Sequence, residues 1–166
     1  TLLAQESKIS FFKENEITVL EKKIKQNIKL KTKSFKGSDY AKEKKRTVKN
    51  ITEYFSQALE DSIYVHNPYF EAKVLRVVEN IYKANPELKN PNNIFLLNRS
   101  FTPNAACFGI HTYEFNLGLF ALIENDDELA FIICHEMAHQ YLKHLEKKSE
   151  DRNNTFNNDE LERKAT

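Results

Sequence analysis

The pentapeptide His-Glu-Met-Ala-His at residues 135–139 limits most strongly what this chain can fold into. It lies inside an apolar-rich run, residues 129–145, whose pattern predicts a helix. On a helix, His135 and His139 are one turn apart and project from the same face. Two imidazoles placed in this way can bind one zinc ion, at about 2.0–2.1 Å each. Glu136 is then placed to accept a proton from a water molecule on the metal, so we expect a zinc site with Glu136 as the general base.

A second interpretation is that the two histidines are ordinary core residues with hydrogen-bond partners. Apolar residues such as Ile132, Ile133 and Met137 surround them in the sequence. We therefore expect both imidazoles to be largely buried. Since buried polar groups need partners, a metal ion would supply one. We favour the zinc site and keep the core interpretation as the alternative.

The motif leaves one ligand to be found, because a catalytic zinc usually has three protein ligands and a water. His144 is five residues after His139, which places it about 140° away around the helix. The position six residues after His139, where some families carry a third histidine, is Leu145. A carboxylate from a following helix remains, with Glu160 and Glu162 as candidates, although either can equally be an ordinary exposed acid.

Length and composition set broader limits. The chain of 166 residues is long enough for one domain with a buried core. Its net charge of +1 implies no strong overall field. Two cysteines, Cys107 and Cys134, cannot form a disulfide framework, and no stretch reaches the roughly eighteen apolar residues of a membrane span. Because residue 1 is Thr rather than Met, we expect that an upstream part has been removed, which can include a signal peptide or an anchor.

Residues 22–49 carry twelve basic side chains and only two acidic ones. Such a segment can contact nucleic acid or an anionic membrane surface, or it can be a solvated helical face. We expect the solvated face and no nucleic-acid partner, and we keep a membrane-surface association open. A nucleic-acid or membrane-surface module built on this segment is the third functional hypothesis for the chain.

The spacing of apolar residues predicts helices in the first half of the chain and short strands after it. Helices are expected over residues 3–34, 42–62 and 69–84, and strands over residues 94–97 and 107–113. Asn125 is expected to cap the motif helix in a capping box with Glu128, and the helix is expected to run to about residue 148. The fold class is therefore α+β: a mainly helical, single domain with a small sheet over the motif helix. Residues 1–66 would form an N-terminal helical part packed on a catalytic part, residues 67–166.

Several short motifs follow one another in an order that resembles one known family. They are Pro103-Asn104-Ala105, Gly109 in a strand, Gly118-Leu119, Asp127-Glu128-Leu129-Ala130, and Cys134 to His139 followed by His144. This order is similar to that of the zinc metallopeptidases that include HtpX, BepA, Oma and the CAAX prenyl proteases, over about residues 68–148. The resemblance implies a gluzincin that cleaves peptides or proteins, with His135 and His139 as zinc ligands and Glu136 as general base.

The resemblance also implies a substrate site and a third ligand. A substrate peptide would pair with residues 107–113 as an edge strand, with Asn104, Ala105 and Gly109 as substrate-binding residues. The third ligand of the family is a glutamate in a Glu-x-x-Ala-Asp motif. Glu162 begins the matching residues, but Thr166 stands at the aspartate position. The implied location is a bacterial cell envelope, periplasmic or membrane-associated.

We therefore expect a zinc-dependent endopeptidase. The alternative is a binding or chaperone-like domain that keeps the motif helix without turnover.

Overall fold

The computed structural model describes residues 9–34 and 41–142, apart from the side chains of Ser34 and Glu43. Along the chain, the elements are β1 Ser10–Phe11, α1 Glu14–Ser34, α2 Ala41–Glu60, β2 Val65–His66, α3 Pro68–Ala84, a 3-10 turn Pro86–Leu88, β3 Ile94–Asn98, β4 Ala105–Cys107, β5 Thr112–Asn116, α4 Leu117–Phe120 and α5 Asp126–Tyr141. Helices predominate over short strands, so the predicted α+β class is confirmed. Among the described helices, none combines the length and apolar character that a membrane span requires.

A three-stranded sheet in the order β3-β5-β4 lies between the helices. β3 is parallel to β5, and β4 is antiparallel to it. β1 and β2 form a separate antiparallel pair, which meets the sheet at a bridge between Tyr64 and Asn98. β5 is therefore the central strand, buried at all five positions, and β3 and β4 form the two edges.

The two faces of the sheet pack into different apolar clusters. Leu97, Tyr113 and Phe115 join a cluster with residues of α3 and α5. Leu96, the neighbour of Leu97, belongs instead to a cluster with residues of α1 and α2. This division follows from the alternation of side chains along a strand. The motif helix α5 and α3 thus cover one face, and α1 and α2 cover the other.

Glu114 of β5 lies on the side of the sheet that α1 and α2 cover. Its carboxylate accepts hydrogen bonds at 2.9 Å from the hydroxyls of Tyr54 and Tyr64 and from Nδ2 of Asn98. Burial, with the nearby Glu114 charge, raises the pKa of Tyr54 to about 12 and raises the pKa of Tyr64 well above its ordinary range. Both phenols are therefore protonated donors at neutral pH, and they tie α2 and the segment before β2 to the central strand.

The helix boundaries follow local capping chemistry where the sequence carries it. The buried Asn67 accepts hydrogen bonds at 3.2 Å from the backbone N–H groups of Tyr69 and Phe70, and Pro68 occupies the first turn of α3. The predicted helix over residues 69–84 is therefore confirmed to within one residue. α2 also matches its prediction and ends two residues early, before Ser62 at φ 51°.

Two predicted elements are wrong. α1 begins at Glu14 rather than residue 3, because Ser10 and Phe11 pair with β2 as strand β1, while residues 3–8 lie outside the described part. The single strand predicted over residues 107–113 is in fact the end of β4, a turn and the start of β5. Gly109 and His111 have φ values of 66° and 56°, which an extended strand does not adopt.

Candidate metal centre

The start of α5 is fixed by the predicted cap residue Asn125, while Glu128 reaches back to the N–H of Glu124, one residue before the expected partner of a capping box. Oδ1 of Asn125 accepts the backbone N–H of Glu128 at 2.9 Å. The Glu128 carboxylate in turn accepts the backbone N–H of Glu124 at 2.9 Å and Nδ2 of Asn125 at 3.2 Å. Arg76 of α3 binds the Asp126 carboxylate through Nε and Nη2, at 2.7–3.0 Å. The motif helix is therefore held at its N-terminus by its own cap and by α3.

The two motif histidines converge on one point. Their Nε2 atoms are 3.1 Å apart, and the ring planes are nearly perpendicular at 86°. Two ligands bound tetrahedrally to one zinc ion at about 2.0–2.1 Å each would be about 3.3 Å apart. One potential ligand atom from each of His135, Glu136 and His139 lies within 4.8 Å of the others. The pair therefore fits the donor geometry of a zinc site.

The burial of the histidines differs from the prediction. His135 is exposed and His139 is half-buried. The reason is helical phase: Leu129, Ile133 and Met137 face the sheet at four-residue spacing, and each histidine is two residues, or about 200°, beyond a member of that row. Since neither histidine is fully buried, the alternative of two buried core histidines is wrong.

Glu136 lies on the inner side of the pair. It is only 8% exposed, because it is next to Met137 on the buried side of α5. The charge of Glu136 acts on Tyr113 of β5. The pKa of the Tyr113 phenol is raised above its ordinary range, mainly by burial and then by the charges of Cys107, Tyr82 and Glu136. The phenol therefore stays neutral at physiological pH. The sequence does not single out Tyr113 as a site residue, since its only signal is an alternating strand pattern.

The last turn of α5 is attached to the turn between β4 and β5. The backbone N–H of His111 donates to Oε1 of Gln140 at 2.8 Å. Nδ1 of His111 also contacts Oδ1 of Asn93 at 3.1 Å, and burial, then the Lys31 charge, lower the pKa of this imidazole. His111 thus stabilises the turn between β4 and β5 and does not belong to the group of possible metal ligands formed by His135, Glu136 and His139. Gln140 was missed by the sequence analysis because its partner is a backbone group of a residue 29 positions away.

The residues predicted to bind substrate lie at or near the edge strand β4. Asn104 is exposed just before β4, and its carbonyl accepts the N–H of Asn116. Ala105 is the half-buried first residue of β4, which contacts α5. Gly109 is buried in the turn beyond β4, so it is not part of the extended edge. The edge strand that runs beside the motif helix is therefore three residues long, Ala105–Cys107.

The predicted third ligand falls outside the described residues. Glu162, its alternative Glu160 and also His144 all belong to the part of the chain after residue 142. Within the described residues, the only group of three or more clustered metal-binding side chains is His135, Glu136 and His139.

Comparison with known proteins connects this geometry to one family. The family model of peptidase family M48 matches residues 66–155. The match runs from the end of β2 through β3, β4, β5 and the whole of α5, and it contains the three clustered donors. Neither the curated proteins nor the solved structures give a significant match.

Proposed function

This chain belongs to peptidase family M48, and on that premise we propose that it is a zinc-dependent endopeptidase. Family membership confirms the resemblance drawn from the sequence motifs and supports a metallopeptidase that acts on peptides or proteins. It does not favour the alternative of a binding domain without turnover. Zinc, internal cleavage and the roles of single residues are our proposal.

One observation carries the proposal: the Nε2 atoms of His135 and His139 are 3.1 Å apart, with Glu136 beside them. Imidazole nitrogen is a preferred zinc donor, and two histidines with a carboxylate form one of the ligand sets found in catalytic zinc sites. His135 and His139 would hold the ion, and Glu162 or Glu160 would complete its protein ligands. When bound, zinc supplies Lewis acidity, which polarises a carbonyl group and acidifies a water molecule.

The other steps belong to the side chains of the chain itself. Glu136 would take a proton from the attacking water and transfer it to the leaving amine. Its burial limits its contact with bulk water. A substrate peptide would lie along β4, with Asn104 and Ala105 at one end of that edge and Gly109 at the turn beyond the other.

The metal content of purified protein, measured by elemental analysis, tests the site directly. We expect about one zinc ion per chain in the wild type and its loss in His139→Ala. The matched control is His111→Ala, which removes a histidine outside the pair and should keep the ion. Zinc that remains in His139→Ala, or is absent from the wild type after zinc is supplied, contradicts the proposal.

Degradation of an unfolded protein substrate tests turnover. We expect Glu136→Gln to keep zinc and to lose cleavage, because an amide cannot accept the proton. A Glu136→Gln variant with wild-type activity would show that another group is the base.

A further inference from the structure

A cavity of about 430 Å³ lies at the outer edge of β3, on the opposite edge of the sheet from β4. Four consecutive residues, Ile94 to Leu97, line it. Since successive side chains of a strand point to opposite faces, a space lined by all four must run along the strand edge. The volume is within the range of about 300–1,000 Å³ that is typical of ligand sites.

The walls of the cavity are apolar and are supplied by two helices. Val19 of α1 and Leu75 of α3 line it although they are 55% and 54% exposed. Phe70 and Val74 extend the α3 wall inward. Exposed aliphatic side chains on both sides of one cavity are typical of a surface that contacts a ligand.

The edge of β3 can accept a further strand. The N–H of Ile94 donates at 2.8 Å to the carbonyl of His111, beside β5. Because backbone groups alternate in direction along a strand, the N–H and C=O of Phe95 point away from β5 and towards the cavity. Among the described residues, pairing on this side of β3 is limited to its last part, where Asn98 bridges Tyr64 and the N–H of Arg99 donates to the carbonyl of Ile63 at 2.9 Å. An extended peptide would satisfy the Phe95 groups, whereas an acyl chain would leave them without partners.

Charged groups mark the two ends of the cavity. Nδ2 of Asn27 donates to the carbonyl of Asn92, so the later part of α1 lies near the start of β3. Lys23 therefore lies towards that end, and Glu16, seven residues earlier, lies towards the other. Seven residues of helix span about 10.5 Å, which corresponds to about three residues of an extended strand.

The acidic end has a second carboxylate and a buried ring nitrogen. Nδ1 of His66 contacts Glu71 at 2.9 Å, and its Nε2 is 3.6 Å from the Glu16 carboxylate. This Nε2 is buried and has no hydrogen-bond partner among the described residues. Two carboxylates at one end of the cavity suit an ammonium group.

We propose that this cavity binds a short apolar peptide of three or four residues as an added strand antiparallel to β3. Its N-terminal ammonium group would lie near Glu16 and Glu71, and its C-terminal carboxylate near Lys23. The peptide would continue the line of β2, which is also antiparallel to β3 at the Tyr64 bridge. The site is separate from the metal centre, because β3 and β4 are opposite edges of the sheet, and it does not depend on the proposed peptidase activity.

Titration of the tetrapeptide Ala-Val-Leu-Val into isotope-labelled protein, followed by NMR, tests the proposal. The Glu136→Gln variant serves as the background, so that hydrolysis cannot interfere. We expect the amide signal of Phe95 to move on binding. Val19→Glu and Leu75→Glu should each weaken binding about 10-fold, since each removes apolar contact. Leu30→Glu is the control, because Leu30 is an exposed leucine of α1 that does not line the cavity.

The charged ends are tested separately. Lys23→Gln should weaken binding about two- to five-fold, as expected for an exposed ion pair, and the neighbouring Lys22→Gln should not. Amidation of the peptide C-terminus should weaken binding to the wild type by the same factor, and it should not weaken binding to Lys23→Gln. If a peptide capped at both ends binds as tightly as the uncapped peptide, the assignment of the two charged ends is overturned. The natural occupant would then be an internal segment of a longer polypeptide.

Three results would overturn the site itself. Signal changes confined to α5 would place the peptide at the metal centre. A dimer in light scattering that Val19→Glu dissociates, together with no peptide binding, would make the occupant a second copy of this chain. A monomer that binds no peptide and protects the Phe95 amide from hydrogen exchange would show that the chain covers this edge itself.

Discussion

Replacing Tyr64 by Phe tests whether the hydrogen bonds to Glu114 stabilise the fold. The substitution keeps the ring and removes the hydroxyl that donates to the carboxylate at 2.9 Å. Tyr64 is 3% exposed, so water has little access to replace the lost donor. Tyr54 donates to the same oxygen at 2.9 Å, but it is 38% exposed. The two tyrosines therefore make similar bonds in different surroundings.

The burial of each hydroxyl sets the expected magnitude. Hydrogen bonds to charged groups contribute about 1.5–3 kcal/mol, and we expect Tyr64→Phe to lower the free energy of unfolding by about 2 kcal/mol. At Tyr54, water can occupy the place of the lost hydroxyl, so we expect a loss of about 0.5–1 kcal/mol. For a domain of this size, 2 kcal/mol corresponds to a decrease in Tm of about 4–8 °C.

Urea unfolding followed by circular dichroism measures both values, provided that the m-value stays unchanged. Tyr69→Phe is the control, because Tyr69 is 62% exposed and its variant should match the wild type. Equal losses in Tyr54→Phe and Tyr64→Phe, or a loss below about 0.5 kcal/mol in Tyr64→Phe, would refute the reasoning that burial determines the contribution of these bonds.

Three further results are expected. Gly118→Ala should lower the free energy of unfolding by about 3 kcal/mol, because the added Cβ would lie 1.9 Å from the Phe101 carbonyl oxygen. An unchanged free energy of unfolding in urea would contradict this close approach. Gln140→Met should lower the free energy of unfolding by about 1 kcal/mol and raise the KM for peptides, because it removes the acceptor of the His111 N–H. Gln140→Glu keeps that acceptor and should behave like the wild type. Equal KM values in steady-state kinetics would show that this bond does not position the edge strand. Folding raises the pKa of Tyr54 from about 10 to about 12, so its stabilisation is complete below about pH 10 and is lost as the pH rises towards 12. Urea unfolding across that range should show this decrease, and a Tyr54→Phe variant should show less of it.

The parts of the structure that the sequence predicted depend on local chemistry. Asn125 marks the start of α5 as predicted, because a cap and its helix are neighbours in the chain. The histidine pair converges for the same reason, since four-residue spacing alone places both rings on one face.

The parts that the sequence did not predict depend on distant contacts. Glu114 gives no local sign that its partners are 16, 50 and 60 residues away. The alternating sequence pattern over residues 107–113 predicted one strand, although the chain turns within it. The turn was missed because the positive φ at His111 is set by its surroundings rather than by its residue type. The exposure of His135 depends on which face of α5 meets the sheet, and the apolar neighbours in the sequence did not determine that.

The pairing of β3 with β5 has a consequence for how the chain folds. The two strands are in register over partners 18 positions apart, and β4 lies between them in the sequence. The whole three-stranded sheet is thus encoded within residues 94–116. Short loops close at a low entropic cost, so this segment can nucleate the structure together with α5, which follows it after the short helix α4. The contact of α1 with Asn92 bridges 65 residues, and α1 should therefore attach late in folding.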